Sequence, residues 1–495
     1  MSQTIAPNAP LPGIEHIVVL MFENRSFDNV LGTLYPPSDS FNGLPLDSSN
    51  SFSDGFGHYS VSVTNTPPSG NDLNITPNPD PGESQSDMNQ QIYNGEASPN
   101  MGGFAQNYHD VHLFTRHEDV GDIMCYFDQS GAMPQMLISA VLGSSCAVSD
   151  QWFGCGPVQT FPNRMFSLCG APGTFSGAAA INDSDYVLEG SGYGTVLGSV
   201  TDTTVLQLLD NKSGATSPDP TNWKVYFHDV PLSALNSYVN DAWSAGSDCV
   251  SSYDDSDYEP PYGTTLATDV ANDTLPAFAI IEPRYWGNYS NDGTIANSNH
   301  PGNDNYEDAG LTGNPIDVQN GEQLLVDIFT TLFLTNDKVA NSTLLIVLYD
   351  EHGGVYDHQA PPAALSPFDS TVTNGNVYDF FGPRVPAIFV AASIAQGTIL
   401  RPPSSSTYPF DHTSVIATLC AQFGLAGPLT ARDQNAPVLA NLITTNTAAP
   451  RRAAARLNGH ARANAKPKPG PRKPLADHQR MVGQWVRAKQ RPRRK

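Results

Sequence analysis

Basic residues are scarce in most of this sequence. The 495 residues include 25 Lys and Arg against 49 Asp and Glu, which gives a formal net charge of −24. Fifteen of the bases lie in residues 451–495 beside a single acid, so residues 1–450 carry 10 bases and 48 acids. Because such an acidic body repels phosphate-rich polymers, we expect no specific nucleic-acid recognition. At low pH the carboxylates of residues 1–450, the acidic body of the chain, become protonated and repel one another less. This composition suits a protein that works in an acidic or extracellular environment.

Cysteines and long apolar runs are also few. Six cysteines are too sparse for a disulfide scaffold, although one or two disulfides remain an alternative. No two of them form a C-x-x-C pair, so a zinc or redox motif is not indicated. No run of about 18 apolar residues is present, so no membrane-spanning helix is predicted. The first residues lack the basic and apolar segments of a secretory signal. We expect a secreted or periplasmic protein without its signal, with a cytoplasmic location as the alternative.

The body alternates short, β-rich apolar runs with helical stretches. This alternation predicts an α/β fold with a mainly parallel central sheet and helices on both faces. The predicted strands share continuous apolar sequence: Ile14–Met21, Phe278–Ile281, Leu344–Tyr349 and Val385–Ala392. The predicted helices have apolar residues at helical spacing: Glu322–Leu334 and Thr413–Phe423. Long polar segments at 36–100, 170–220, 240–275 and 286–318 are predicted to be functional loops or insertions.

The C-terminal segment differs in composition from the body. It is rich in Ala, Pro, Arg and Lys, which predicts a disordered or marginally helical tail. We therefore expect one large α/β domain over residues 1–445 and a basic, disordered tail over residues 446–495. The tail is either a solvated appendage or a segment that docks on the acidic body or on an anionic membrane or polymer.

One group of polar residues follows the first predicted strand directly, in the segment Phe22–Asp28. Ligands in open α/β sheets bind at the carboxyl ends of the strands. Glu23 and Asn24 would present two hard oxygen atoms there, which suit a divalent cation. The alternative is a charged helix start with Asn24 or Ser26 as its cap.

A second group, Tyr349–His358, also follows an apolar strand and holds acids, histidines and a Gly-Gly pair. Asp350 and Glu351 at the strand end could complete a metal site with the first group. The two glycines would let the backbone approach a ligand closely. The alternative is a polar turn with a solvated acid pair.

A third group lies at Gln159–Phe166. Pro162 suits the first turn of a helix, which places Thr160 near the helix N-terminus, where the dipole favours an anion. A hydroxyl beside a metal at such a position can act as a nucleophile. Simple capping by Thr160 is the alternative.

Together the three groups resemble the phosphoesterase family that unites non-specific phospholipases C of bacteria and plants with an acid phosphatase, a branch of the alkaline-phosphatase-like superfamily. The family patterns ENRSFDxxxG, TxPNR and DExGGxxDH occur here in the family's order, as Glu23–Gly32, Thr160–Arg164 and Asp350–His358. The resemblance runs from about Ile14 to about Leu425, and it implies the alkaline-phosphatase-like version of the α/β fold with long loop insertions.

The resemblance implies one divalent metal ion, with Ca²⁺, Mg²⁺ or Mn²⁺ favoured by the oxygen ligands and zinc left open. The implied metal ligands are Glu23, Asn24, Thr160, Asp350 and Glu351. Thr160 would also be the nucleophile and would form a phosphothreonine intermediate. His300 is the implied residue for protonating the leaving alcohol or binding phosphoryl oxygens. His358 and His412 match family positions, and they would either bind substrate or support the ends of the strands.

Two departures from the family stand near the implied site. Many members have a histidine in a DPGH-like segment, whereas here Asp80-Pro81-Gly82 is followed by Glu83. An acid in place of that histidine puts the usual set of substrates in question. More residues separate His300 from Asp317 than is usual in the family, which indicates an insertion over roughly residues 302–313.

The implied function is that of a metal-dependent phosphoric-ester hydrolase. We favour phospholipase-C-type cleavage of phospholipid head groups or related phosphodiesters, which would bring the protein to a membrane surface. The first alternative is an acid phosphatase that acts on phosphomonoesters. The alternative from another class is a non-catalytic, calcium-dependent surface protein. A tail that binds an anionic partner is compatible with each of these functions, and a solvated tail remains the alternative.

Overall fold

The computed structural model describes most of the chain. The described residues are 10–112, 117–131, 134–175, 178–186, 196–254, 263–285, 296–301, 316–368, 378–440, 442 and 449–460. The predicted insertion at residues 302–313 lies outside them. No helix of this part of the chain is long and apolar enough to cross a membrane.

Twelve strands are present in the described residues. They are β1 (His16–Phe22), β2 (Ser49–Ser53), β3 (His58–Ser62), β4 (Ala147–Ser149), β5 (Thr174–Phe175), β6 (Ala178–Ala179), β7 (Trp223–Phe227), β8 (Val250–Ser252), β9 (Phe278–Glu282), β10 (Thr343–Tyr349), β11 (Ala387–Val390) and β12 (Thr398–Ile399).

The same part of the chain has fourteen α-helices. They are α1 (Phe27–Val30), α2 (Gln85–Tyr93), α3 (Phe104–Val111), α4 (His117–Val120), α5 (Leu137–Ser145), α6 (Thr160–Cys169), α7 (Val205–Ser213), α8 (Ser237–Ser244), α9 (Leu266–Asn272), α10 (Val318–Leu334), α11 (Asp337–Ser342), α12 (Thr413–Phe423), α13 (Ala431–Asn435) and α14 (Ala449–His460).

Eight strands form one sheet in the order β12-β4-β11-β10-β1-β9-β7-β8. Strand β1 lies in its middle and pairs in parallel with β10 and β9, strands that come about 260 to 330 residues later in the chain. Strand β11 runs antiparallel to both of its neighbours, whereas the other pairings in the sheet are parallel. The prediction of an α/β fold with a mainly parallel sheet is therefore confirmed.

The central strands are long apolar runs because both faces of the sheet are covered. All seven residues of β10 are buried, and so are the last six of β1. Strands of a parallel sheet that is buried on both sides carry this kind of continuous sequence. The four strands and two helices predicted from the sequence are all present, with ends shifted by a few residues.

The predicted polar segment 36–100 contains structure of its own. Strands β2 and β3 pair as a hairpin, and β2 packs against α3. A separate apolar cluster that includes Phe52, Ile92, Phe104 and Tyr108 lies beneath them. This segment is therefore a small packed unit, and its chain leads into the loop that carries Asp80 and Glu83.

The start of the basic tail is helical, which is one of the two states predicted for this segment. Residues 449–460 form α14, which packs against α5. Ala449 and Ala453 are fully buried in the main core, and Leu457 is nearly so. Small and apolar residues recur at a spacing of four and form one face of the helix, which explains the docking. Residues 461–495 lie outside the described part of the chain.

Candidate active site

The predicted site lies at the carboxyl edge of the parallel strands. Glu23 and Asn24 follow β1 directly, and Asp350 and Glu351 follow β10, the strand beside it. The backbone N–H of Asn24 donates to Asp350 Oδ1 over 3.1 Å, so the two strand ends are joined by a hydrogen bond. The register that pairs Phe22 with Tyr349 places these residues side by side.

The side chain of Asn24 is held at both ends of its amide. Nδ2 donates to Glu83 Oε1 over 2.7 Å and to His300 Nε2 over 2.9 Å. Oδ1 accepts a hydrogen bond from the Thr160 hydroxyl over 3.3 Å. Asn24 has a φ of 57°, in the left-handed region that Asn tolerates better than most residues. The structure thus brings the predicted nucleophile and a predicted metal ligand into contact.

Thr160 is the first residue of α6 and is fully buried. Asp183 closes the N-terminus of this helix, since its Oδ1 accepts from the backbone N–H of Phe161 over 2.8 Å. Asp183 in turn donates its backbone N–H to the side chain of Gln159 over 2.9 Å. The Thr160 hydroxyl is therefore not used to cap its own helix, and it faces Asn24 instead.

Arg164 joins α6 to the ends of the central strands. Its Nε donates to Asp350 Oδ2 over 2.9 Å, and a terminal nitrogen lies 3.7 Å from Glu282 at the end of β9. The guanidinium also donates to the backbone carbonyls of Met21 and Phe22. No role for Arg164 could be predicted from the sequence, because its partners Glu282 and Asp350 lie far along the chain.

Glu351 has one oxygen that the described protein does not satisfy. Its Oε2 accepts from the backbone N–H of Gly353 over 2.6 Å, whereas Oε1 is buried and has no hydrogen-bond partner among the described residues. A buried carboxylate oxygen without a partner is costly unless a proton or a cation reaches it. Glu351 therefore suits the predicted role of a metal ligand.

The Gly353-Gly354 pair packs against protein rather than against a ligand. Gly353 has a φ of 65°, and a Cβ on it would collide with the Asn24 carbonyl oxygen. A Cβ on Gly354 would lie 2.7 Å from a carbon of Pro81. The expectation that this pair makes room for a ligand is thus replaced by another reason: the pair lets the loops that carry Asn24 and Glu83 meet.

Too many acids surround the nucleophile for the cations present. Burial raises the pKa of Glu23, Glu83 and Glu351, and it raises the pKa of Asp350 to about 6. The neighbouring Arg164 lowers the pKa of Asp350 but does not cancel the effect of burial. Carboxyl groups in this state are stabilised by a hard divalent cation, and the donors are oxygens. The oxygen donors therefore fit the predicted metal ion in their chemistry. The carboxylates of Glu23, Asp350 and Glu351 do not form one of the two compact groups of acids and histidines found in the described residues.

His300 lies within the site, but both of its ring nitrogens already form hydrogen bonds with the protein. It is fully buried, and Nδ1 donates to the Pro301 carbonyl over 2.7 Å while Nε2 accepts from Asn24. Asp80 and Glu83 lie near the two nitrogens, at 3.5 and 3.7 Å. The structure thus confirms no role for His300 in proton transfer, and that role stays a prediction.

His412 lies behind the site. Its Nε2 donates to the Asp350 backbone carbonyl over 2.6 Å, and its Nδ1 accepts from the Trp152 indole over 3.2 Å. Burial lowers the pKa of His412 to about 4, so the ring is neutral at ordinary pH. Of the two roles predicted for it, this geometry supports the end of β10 rather than binding of substrate.

His358 belongs to a separate buried cluster. Its Nδ1 lies 2.6 Å from Asp28, and its Nε2 lies 3.1 Å from Asn42. The Arg384 guanidinium lies among these groups, 2.9 Å from Asp28 and 3.0 Å from Asp357. His358 therefore supports the loops at this edge of the sheet, and its contacts offer no support for a role in substrate binding.

Comparisons with known proteins give the family of this chain. A family model described as the phosphoesterase family matches residues 14–426. Non-specific phospholipase C3 of Arabidopsis thaliana is 28% identical over 88% of this chain and 74% of its own length. Phospholipase C B of Mycobacterium tuberculosis (strain ATCC 25618 / H37Rv) is 28% identical over 93% of this chain and 83% of its own.

A solved structure of a protein in the alkaline phosphatase superfamily from Vibrio parahaemolyticus covers 88% of this chain and 75% of its own, with 14% identity and a TM-score of 0.34. That superposition is too loose to carry a conclusion. The match to the family model spans most of the chain and includes all three motifs. The chain thus belongs to the phosphoesterase family, and it is a hydrolase of phosphoric esters.

Proposed function

We propose that this protein is a metal-dependent phosphoric-ester hydrolase in which Thr160 forms a phosphothreonine intermediate. The observation that carries the proposal is the contact between the buried Thr160 hydroxyl and the Asn24 amide oxygen. A hydroxyl in the core normally donates to a backbone carbonyl or caps a helix. Here the cap is supplied by Asp183, and the hydroxyl faces the carboxyl ends of the central strands.

The residues that would hold the metal are Glu23, Asn24, Asp350 and Glu351, together with Thr160. Among them, the unsatisfied Oε1 of Glu351 and the raised pKa values of the acids support this role. The ion would supply positive charge against the phosphoryl oxygens, and Ca²⁺, Mg²⁺ or Mn²⁺ suits the oxygen donors.

The chain's own groups place the nucleophile and balance the charges. Asn24 orients the Thr160 hydroxyl, and Arg164 keeps Asp350 and the ends of β1 and β10 in register. In the first step Thr160 Oγ bonds to phosphorus as the bond from phosphorus to the leaving alcohol breaks. We assign to His300 Nε2, once it leaves its contact with Asn24, the proton that Thr160 loses, and His300 then passes this proton to the leaving alcohol. Water then breaks the bond from Thr160 Oγ to phosphorus, which restores the hydroxyl and releases a phosphomonoester from a diester substrate or phosphate from a monoester.

We further propose that the substrates are phosphodiesters of the phospholipid type. The names of the relatives from Arabidopsis and Mycobacterium support this choice. Activity on p-nitrophenylphosphorylcholine that exceeds activity on p-nitrophenyl phosphate is the expected result. The opposite preference would favour an acid phosphatase.

The test of the nucleophile is Thr160→Ala, assayed for phosphate-ester hydrolysis with and without a chelator. We expect the substitution to reduce kcat by at least about 10⁴-fold, because covalent catalysis is lost. Thr204→Ala is the matched control, since Thr204 is also fully buried at the start of a helix but caps α7. The control should lose about 1 kcal/mol of stability and keep its activity.

Wild-type turnover by the Thr160→Ala variant would refute the mechanism. A wild-type protein that hydrolyses no phosphoric ester, with or without added divalent ions, would instead favour the non-catalytic alternative. Binding to anionic liposomes that survives removal of residues 461–495 would argue against the proposed role of the tail, and absence of binding to any liposome would argue against membrane contact.

A further inference from the structure

Glu83 stands where many members of the family have a histidine, and the structure shows what this acid contacts. Glu83 is 6% exposed, and its Oε1 accepts a hydrogen bond of 2.7 Å from Asn24 Nδ2. The other hydrogen of the same amide nitrogen is directed to His300 Nε2, 2.9 Å away. Both hydrogens of the Asn24 amide are therefore used by neighbouring acceptors.

Two groups of acids and histidines in the described residues are compact enough to suggest additional cation sites. In the first, Asp28, Asp357 and His358 surround the Arg384 guanidinium, which already supplies the positive charge. In the second, the ligand atoms of Asp80, Glu83 and His300 lie within 4.8 Å of one another.

The Asn24 amide already takes the place of a cation in the second group. Its N–H hydrogens lie against Glu83 Oε1 and His300 Nε2, so one oxygen of Glu83 and one nitrogen of His300 already accept hydrogen bonds. The second group therefore serves Asn24 and does not form a separate metal site.

The orientation of the Asn24 amide decides whether it can serve the nucleophile. In the observed orientation Oδ1 faces Thr160. A half-turn of the amide would place Oδ1 against Glu83 Oε1 and the Nε2 lone pair of His300. The amide oxygen would then face the two atoms that now accept from the amide, and the Thr160 hydroxyl would face an N–H group. Losing hydrogen bonds between buried polar atoms is costly, so the observed orientation is favoured.

We infer that Glu83 is a positioning residue that fixes the Asn24 amide with its oxygen towards Thr160 and the metal. The inference rests on the proposed function, because it treats Asn24 as a metal ligand. The geometry supports this role directly, because Glu83 Oε1 accepts from one amide hydrogen while His300 Nε2 accepts from the other. An imidazole at position 83 would either donate or accept according to its tautomer.

The expected effect is on metal affinity. Groups that orient metal ligands typically contribute 10- to 100-fold to metal affinity or activity. We therefore expect Glu83→Met, which has a similar length but no strong acceptor, to weaken binding of Mn²⁺ by about 10- to 100-fold. Glu83→Gln retains an oxygen that can accept from Asn24, so it should remain within about threefold of the wild type.

The measurement is calorimetric titration of Mn²⁺ into full-length protein freed of metal by a chelator. Asp210→Asn is the matched control, because Asp210 is a buried acid that accepts from Trp223 and Tyr238 at the opposite edge of the sheet. It should leave the affinity for Mn²⁺ unchanged. Circular dichroism identifies any variant that does not fold, and Glu83→Ala replaces Glu83→Met in that case.

A double-mutant cycle with Asn24→Asp separates positioning from other roles of Glu83. An aspartate at position 24 keeps the ligand oxygen but has no amide hydrogens, so adding Glu83→Met should cause no further loss of Mn²⁺ affinity. An additive loss would overturn the inference. So would Mn²⁺ binding by Glu83→Met that equals the wild type, or equal losses in Glu83→Met and Glu83→Gln.

The two proposals fail in different ways. Wild-type protein that binds Mn²⁺ but hydrolyses no phosphoric ester would contradict the proposed function, while the cycle would still decide the role of Glu83. Wild-type protein that binds no divalent cation would overturn the inference as well as the metal requirement.

Discussion

Replacing Arg384 by methionine should destabilise the protein without changing its chemistry. Arg384 is fully buried, and its guanidinium donates to both oxygens of Asp357 and to Asp28. It also donates to the backbone carbonyls of Asn42 and Asp150. Methionine fills a similar volume but leaves two buried carboxyl groups and two carbonyls without this donor.

Breaking a buried ion pair by removing one partner typically costs about 3–5 kcal/mol, a factor of roughly 160 to 4,700 in the equilibrium constant for unfolding. The domain as a whole is expected to have a stability of about 5–15 kcal/mol, so the variant should unfold at a much lower urea concentration. Arg451→Met is the control, because Arg451 is exposed and its contact with Asp337 is 3.4 Å. The control should unfold as the wild type does.

The loss should depend on pH. Burial already raises the pKa of Asp357 and the Arg384 guanidinium lowers it in part, so removing the arginine raises the pKa further. A carboxyl group whose pKa is raised in the folded state favours folding at low pH, and this contribution is lost as the pH rises through the folded-state pKa. The deficit of Arg384→Met should therefore be largest near pH 8 and shrink towards pH 4.

Urea unfolding at pH 4 and at pH 8, followed by circular dichroism, measures this effect. Hydrolysis of phosphoric esters per folded molecule should stay unchanged, because the contacts of Arg384 are to Asp28, Asp357 and the backbone carbonyls of neighbouring loops. A deficit that is the same at both pH values, or a loss of activity at full folding, would show that this reasoning is wrong.

Two further predictions concern other buried side chains. Leu457→Ala should lower the free energy of unfolding by about 2–3 kcal/mol, because Leu457 on α14 is 8% exposed and packs into the main core; an unchanged urea midpoint would contradict the docking of α14. His412→Phe should cost about 1–3 kcal/mol, since the Trp152 indole and the Asp350 carbonyl lose a partner. The pKa of His412 is lowered to about 4, so the pH–activity profile of the variant should keep its shape between pH 5 and 8, and a changed inflection there would refute the assignment.

The strands that could be predicted from the sequence are those in which burial on both faces of the sheet requires an apolar residue at almost every position. Strands β1 and β10 are continuous apolar runs because helices and neighbouring strands cover them on all sides. Strand β7 was missed because it contains Lys224, which is buried with Asp269 at 2.7 Å. A partner that is 45 residues away cannot be read from the local pattern.

The site shows the same limit. Glu23, Asn24, Thr160, Asp350 and Glu351 could be grouped from strand ends and motifs, since parallel strands bring their carboxyl ends to one edge. The roles of Arg164 and Asp183 depend on which groups fold against them, and no local pattern contains that information. The packing of α14 could not be predicted for a related reason, because its Ala-rich face becomes part of the core only through contact with α5.

The position of β1 in the sheet also has a consequence in time. Its hydrogen-bonding partners are β9 and β10. Because His16 pairs with Thr343, the ribosome synthesises β10 327 residues after β1. At synthesis rates of about 5–20 residues per second, β1 leaves the ribosome roughly 16–65 seconds before β10. Throughout that interval it is an apolar strand with two open edges, the kind of segment that aggregates. Production of this protein should therefore respond to chaperones that bind nascent chains and to slower initiation of translation.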